Sequence, residues 1–278
     1  MGGRRPLGLL AFAGAAIYVL LGPRGETFEL RPTNEERIML YKANEERTKR
    51  GIPPLTLAAD ASATARSYSL LMAETKRIEH IDTRGRGPGQ RLAKARLHAT
   101  VYGENIAYHR SPTEAHYAFM GSPPHRANLL DPGYREMGVG VFVDRQRDVW
   151  VTELFLTRLP YNDEGLALTM LRERVDELRQ PPKLTPLQWD AVLAAYLADT
   201  VRTQPPSSKP SAVTLPPFLR DVLAATSTFT SSKLSPSSKP AALLRDKRLT
   251  HMGASVRIEH TKDYAFYYRA DLAVYQSR

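Results

Sequence analysis

The chain has no cysteine among its 278 residues. That absence excludes disulfides, thiolate catalysis, cysteine-ligated zinc and a lipid-modified N-terminal cysteine, and it leaves export untouched. Acidic residues are the scarcer charge, 29 against 39 Lys and Arg, for a formal net charge of +10 and a pI near 9.8. The excess favours polyanionic surroundings such as acidic lipid headgroups. No Lys/Arg-rich helix interleaved with aromatics and no nucleic-acid-binding motif accompanies it, so the basic residues read as a solvated surface and nucleic acid is not an expected partner. Also missing are a G-x-S-x-G elbow, which leaves Ser122 beside His125 without a triad context, and an H-E-x-x-H metal motif.

What is present is a folded composition, with 42% hydrophobic and 24% charged residues, enough for two domains of about 120 residues. The 21 prolines point to long irregular connections. Arg4 and Arg5 precede the apolar run Leu7 to Leu21, the charge-then-hydrophobe order of a secretion signal. No A-x-A-like site follows, so residues 1–25 read as a signal peptide or an uncleaved signal anchor. As a helix the run would span about 22 Å, short of a hydrocarbon core of about 30 Å. Either fate places the remainder outside the cytoplasm, secreted, periplasmic or tethered to the membrane by that segment.

Helical patterns cover Thr33 to Arg50, capped by Thr33 or Asn34 and stopped by Gly51, and Leu57 to Arg77, starting near Asp60 or Ser62. Ile81 to Gly89 is a loop and Gln90 to His98 a short helix. Val101 to Tyr108 reads as a loop or helix entry, Thr113 to Met120 as a helix, and Gly121-Ser122-Pro123-Pro124 as its break. Val139, Val141 and Val143 alternate, and Val149 to Phe155 resumes the alternation, a β-hairpin signal. Helices followed by paired strands make an α+β domain over 33–159.

Residues 163–278 repeat this plan faintly. Met170-Leu171 through Pro181-Pro182 echoes Met39-Leu40 through Pro53-Pro54, and Met252-Gly253-Ala254-Ser255-Val256 echoes Met137-Gly138-Val139-Gly140-Val141. A gapless extension sets Asp263 on Asp148 and Tyr268 on Glu153. Thr203 to Pro217 and Thr226 to Pro240, rich in Ser, Pro and Thr, read as extended surface loops. His251 and His260 read as surface residues.

The residues able to carry chemistry lie in the first half. His80 follows the second helix, Glu104 lies in Gly103-Glu104-Asn105-Ile106-Ala107, and His125 in Ser122-Pro123-Pro124-His125-Arg126-Ala127-Asn128-Leu129-Leu130. With Met137 to Val141 and Trp150 to Phe155, these ordered strings resemble the CAP superfamily of cysteine-rich secretory proteins, antigen 5 and pathogenesis-related 1 (SCP-like), in its bacterial, cysteine-free branch. The resemblance covers about residues 34 to 158. It implies an α/β/α sandwich, secretion, and a cleft where two His and two Glu converge, able in some members to hold zinc or another divalent ion; the internal repeat adds to this a degenerate second copy in tandem.

On that pattern His80 and His125 are the two histidines, the candidate metal ligands, and Glu104 the first glutamate. The usual place of the second glutamate, Phe119-Met120-Gly121-Ser122, has no acid. Glu153 on the last strand, or Glu114 one helix turn earlier, would have to substitute. The resemblance therefore implies a binding module of the cell envelope with a lipid, glycan or protein ligand. The alternative is a metal-dependent, peptidase-like hydrolase with His80 and His125 as ligands and Glu104 or Glu153 as base. The plain alternative to both is that Glu104 and Asn105 tie a loop by hydrogen bonds while the histidines fill polar positions beneath it. His109 and His116, seven residues apart, read as exposed.

Overall fold

A computed structural model describes residues 19–21, 27–29, 31–180, 184–202, 224–231 and 244–276. The chain divides into two compact units, Met1–Arg158 and Leu159–Arg278. Most of the apolar N-terminal run lies outside the described residues; its end, β1 (Val19–Leu21), pairs antiparallel with β2 (Thr27–Glu29). Among the described residues no helix is long and apolar enough to cross a membrane.

Unit 1 begins with α1 (Asn34–Thr48), started by a reciprocal cap in which Glu36 N–H donates to Thr33 Oγ1 at 3.2 Å and Thr33 N–H donates to Glu36 Oε2 at 2.9 Å. After β3 (Thr56–Leu57) comes α2 (Ala59–Thr75), whose N-cap is Ala58. The two expected caps are used elsewhere. Asp60 pairs with Arg158, and Ser62 Oγ accepts the Val139 N–H at 3.0 Å. There follow α3 (Pro88–Lys94), β4 (Ala99–His109), α4 (Pro112–Gly121), α5 (Pro123–Leu130), β5 (Glu136–Val143) and β6 (Val149–Arg158).

The sheet order is β3-β5-β6-β4, with β3 parallel to β5 and the other pairs antiparallel. Residues alternate between faces along each strand. Leu154 and Leu156 therefore pack with Ala58, Ala61, Ala65 and Leu92 on the α2/α3 side. Val151 and Phe155 pack with Met39, Ala43, Ala115, Phe119 and Leu129 on the side of α1, α4 and α5. This is the α/β/α sandwich. Helix α2 lies directly on β5, since a Cβ on Gly138 would fall 2.5 Å from the Ala61 carbonyl carbon, and one on Gly140 closer still to Ala65. Gly140→Ala is therefore expected to force α2 off the sheet at a cost of about 1–3 kcal/mol, read as a lower thermal midpoint by circular dichroism.

Two segments depart from the sequence reading. Val101 to Tyr108 lies within the eleven-residue strand β4, the edge of the sheet. Its alternation is masked because four consecutive residues, Glu104 to Ala107, are buried and two of them are polar. The Ser-Pro-Pro segment does break α4, but Pro123 and Pro124 then open α5, so His125 sits on a helix instead of a loop. Proline is well suited to the first helical turn, where its missing N–H costs nothing.

Unit 2 contains α6 (Glu164–Arg179), β7 (Gln188–Trp189), α7 (Ala191–Arg202), β8 (Ala224–Ser231), β9 (His251–His260) and β10 (Phe266–Tyr275). Its sheet order, β7-β9-β10-β8 with β7 parallel to β9, is that of unit 1. A buried arginine near the end of the first helix strengthens the parallel. Arg47 donates to the carbonyls of Pro53 (2.9 Å), Leu129 (3.0 Å), Asp131 (2.9 Å) and Tyr134 (3.3 Å). Arg179 donates to those of Thr185 (2.9 Å), Leu244 (2.5 Å), Asp246 (3.4 Å) and Leu249 (3.4 Å).

Strand register corrects the gapless match. Glu153 pairs with Val139 in unit 1, whereas Ala254, the counterpart of Val139, pairs with Leu272. Leu272, not Tyr268, therefore holds the Glu153 position. The β9–β10 hairpin has two extra rungs before a turn of the same kind, with Tyr264 at φ 63° where β5–β6 has Arg147 at φ 68°. By the same ladder Thr226 and Ser227 occupy the positions of Glu104 and Asn105. The stretch from Thr226 to Ser231, read as loop, is thus strand β8, consistent with its β-branched threonines; residues 203–217 and 232–240 lie outside the described residues. His260 is exposed, while His251 is half-buried and stacks on Tyr275.

Candidate functional site

The segment that carries His80 is held from several sides. Helix α2 ends with Lys76 in the left-handed region at φ 53°, and Tyr68 Oη, from inside the helix, donates to the Glu79 carbonyl. Farther along, the Asp82 carboxylate accepts the backbone N–H groups of Arg84 (2.8 Å) and Arg86 (2.9 Å), and Arg86 Nε at 2.8 Å. Arg91, from α3, donates through Nη1 to the carbonyls of His80 (3.0 Å) and Arg86 (2.8 Å), with its guanidinium carbon 3.6 Å over the Tyr68 ring.

Glu104 projects from β4 to the same side of the sheet. Its Oε1 lies 2.9 Å from His80 Nδ1, and its Oε2 accepts Arg91 Nη2. The glutamate side chain is only 1% exposed, that of His80 50%. A carboxylate only accepts, so Nδ1 of His80 carries the proton and Nε2 is left for other partners.

His125 stands on the first turn of α5, its ring edge-on to Phe119 at 5.3 Å. Burial, aided by the charge of the neighbouring His80, holds its pKa below the ordinary histidine value. Asn105 ties this helix to the strand, with Nδ2 donating to the His125 carbonyl and to Glu153 Oε2, both at 3.1 Å. Asn128 Nδ2 donates to the Glu104 carbonyl at 3.2 Å and to Asn105 Oδ1 at 2.9 Å. These side chains thus straddle the β4 edge, with Glu104 meeting His80 on one face and Asn105 meeting α5 on the other.

Glu153 lies on the Asn105 face, opposite Glu104, and is fully buried. Its Oε1 has no hydrogen-bond partner among the described residues, and burial pushes its pKa up from 4.5 to about 8. The folded state then holds a proton that the unfolded chain releases. The stabilising contribution is complete below the unfolded value and is lost as pH rises from about 4.5 to about 8. Glu153→Gln should flatten that slope in urea midpoints measured across the window and leave the variant the more stable at its alkaline end. Glu114 is exposed in the first turn of α4, beside Ser111, and joins neither histidine. His116 is buried, contrary to expectation, because it shares the α4 face of Ala115 and Phe119; burial lowers its pKa.

A resident metal is poorly matched by these donors. A catalytic zinc takes three protein ligands and a structural one four. Among the described residues no group of three His, Cys, Asp or Glu side chains converges to hold one. Glu104 is already bound by a histidine and an arginine.

Residues 40–155 match the family model CAP, described as the cysteine-rich secretory protein family. The chain thus carries a CAP domain over residues 40–155. Its CAP domain is 31% identical over 106 residues to the protein YkwD of Bacillus subtilis (strain 168), a match covering 38% of this chain and 41% of that relative; the chain thus spans about two fifths of the curated relative's length. Similar solved structures include an extracellular protein containing an SCP domain from Bacillus anthracis (23% identity, TM-score 0.42, covering 45% of this chain and 40% of that one). Another is an outer surface protein of Borrelia burgdorferi (21% identity, TM-score 0.43, covering 45% of this chain and 94% of that one).

Arg91 and Asn128 hold Glu104 and the α5 helix in place without standing out as site residues in the sequence. Arg91 is one basic residue among many, and nothing local marks it as the partner of Glu104, 13 positions on. Asn128 is legible only as an anchor for the segment bearing His125, a role it fills from within α5.

Proposed function

We propose that this protein is an extracytoplasmic binding module of the cell envelope, recognising its ligand through the cleft of His80, Glu104 and His125. The observation that carries the reading is the commitment of Glu104: one oxygen faces His80 and the other Arg91. A hydrolase needs a carboxylate or imidazole free to take a proton from water. Here the carboxylate nearest the histidines is spent on orienting one of them, and Glu153 is sealed behind Asn105. A half-exposed imidazole held in one tautomer is suited to a hydrogen bond with a ligand. Envelope location is supported by Arg4-Arg5 and the apolar run after them, and by the secretory character named in the family's description. The second unit, with Thr226, Ser227 and Leu272 at the positions of Glu104, Asn105 and Glu153, serves in this reading as a degenerate copy.

The test is co-sedimentation of the full chain with purified peptidoglycan sacculi and, separately, with phosphatidylglycerol vesicles, beside a His80→Ala/His125→Ala variant. Retention by one of these materials, reduced about tenfold in the variant, is the expected result. Equal retention of both proteins, or zinc-dependent peptide hydrolysis by the wild type alone, would replace this reading.

A further inference from the structure

Behind the cleft, on the outer side of Arg91, unit 1 contains a cavity of about 290 Å³. Thr64, Ser67 and Leu71 face it from α2 at the i, i+3, i+7 spacing of one helix face, and Tyr68 contributes an aromatic surface. Arg86, Arg91 and Lys94 line it, against a single acid, Asp82. Arg86 is paired with Asp82 and Arg91 with Glu104, while Lys94 has no ion-pair partner among the described residues. The Nε–H of Arg91 is buried with no acceptor among the described residues, so Glu104 answers only one edge of that guanidinium. A second cavity of about 220 Å³ continues past Tyr68, Leu71 and Asp82 toward Met72 and Ile81.

We infer that this cavity is a binding site, separate from the histidine cleft, for a small anion carrying a compact apolar group, either a carboxylate or a phosphate monoester. Charge complementarity selects the anion: with Arg86 paired to Asp82 and Arg91 to Glu104, Lys94 leaves the lining one positive charge in excess. Volume selects the size of the bound group, since about 300 Å³ is the lower end of small-molecule pockets. Tyr68 and Leu71 supply the wall against which the apolar part packs. The charged group lies toward Arg86 and Lys94, the apolar group along the helix face. His80 and His125 are not part of the lining.

The experiment titrates the full chain with phenyl phosphate and with benzoate by isothermal calorimetry, with phenol as the uncharged control. Lys94→Glu reverses the unpaired charge, and Ser67→Trp, at an exposed helix position, fills the cavity; circular dichroism verifies that both fold. Binding of at least one aromatic anion, weakened about tenfold or more by each substitution and unchanged in His125→Ala, is the expected result, and the preferred anion distinguishes phosphate from carboxylate. No binding of either anion, phenol binding as well as they do, or loss in His125→Ala instead of Lys94→Glu would overturn the assignment.

Discussion

Arg91→Met is expected to destabilise the CAP domain by about 3–5 kcal/mol at neutral pH. The side chain of Glu104 is 1% exposed and that of Arg91 7%, so removing the cation strands a carboxylate in a place where water cannot replace it. Breaking a buried pair from one side is much more costly than removing both partners, because the surviving charge keeps its desolvation penalty. Arg91→Met/Glu104→Gln should therefore recover a large part of the loss. Urea unfolding of the wild type, both single variants and the double variant measures the coupling directly. Additive single losses would show that the ion pair is not what holds Glu104. The same series reports on the cleft, since Arg91 also anchors the His80 carbonyl and its loss should loosen the loop that presents the ring.

Arg47→Met and Arg179→Met carry the second large effect, each about 3–5 kcal/mol, the range for a buried cation's network broken from one side. Each guanidinium is almost fully buried and donates to four backbone carbonyls. A buried carbonyl left without its donor costs about 1–3 kcal/mol, and methionine fills the volume without replacing any bond. The losses should also be local to a unit. Hydrogen exchange read by mass spectrometry is expected to show loss of protection in β5 and β6 for Arg47→Met, and in β9 and β10 for Arg179→Met. Deprotection of both sheets by either substitution would contradict the division into two compact units. Equal and local effects would support the view that the second unit is built on the plan of the first.

The periodic and capped segments were legible from residues alone. Thr33 is the N-cap of α1, and the valine alternation is the β5–β6 hairpin. These signals are local, with the deciding residues within a few positions of one another. The strand β4 was not legible, because Glu104 and Asn105 occupy buried positions whose partners, Arg91, His80 and Glu153, come from three other elements. The gapless match of the two halves failed at the β9–β10 hairpin for a related reason: two added rungs change pairing without changing pattern, and only hydrogen-bond register shows that Leu272 stands where Glu153 would.

By itself the sequence determined the CAP resemblance of its first half, the layered α+β plan, and the candidacy of His80, Glu104 and His125, because these rest on residue types in order along the chain. Tertiary structure decided what those residues do. It set Glu104 between a histidine and an arginine, placed Glu153 on the opposite face of the sheet, and closed a cationic cavity behind Arg91. The physical reason is that a buried charge is defined by its partners, and those partners are supplied by the fold, not by neighbours in sequence.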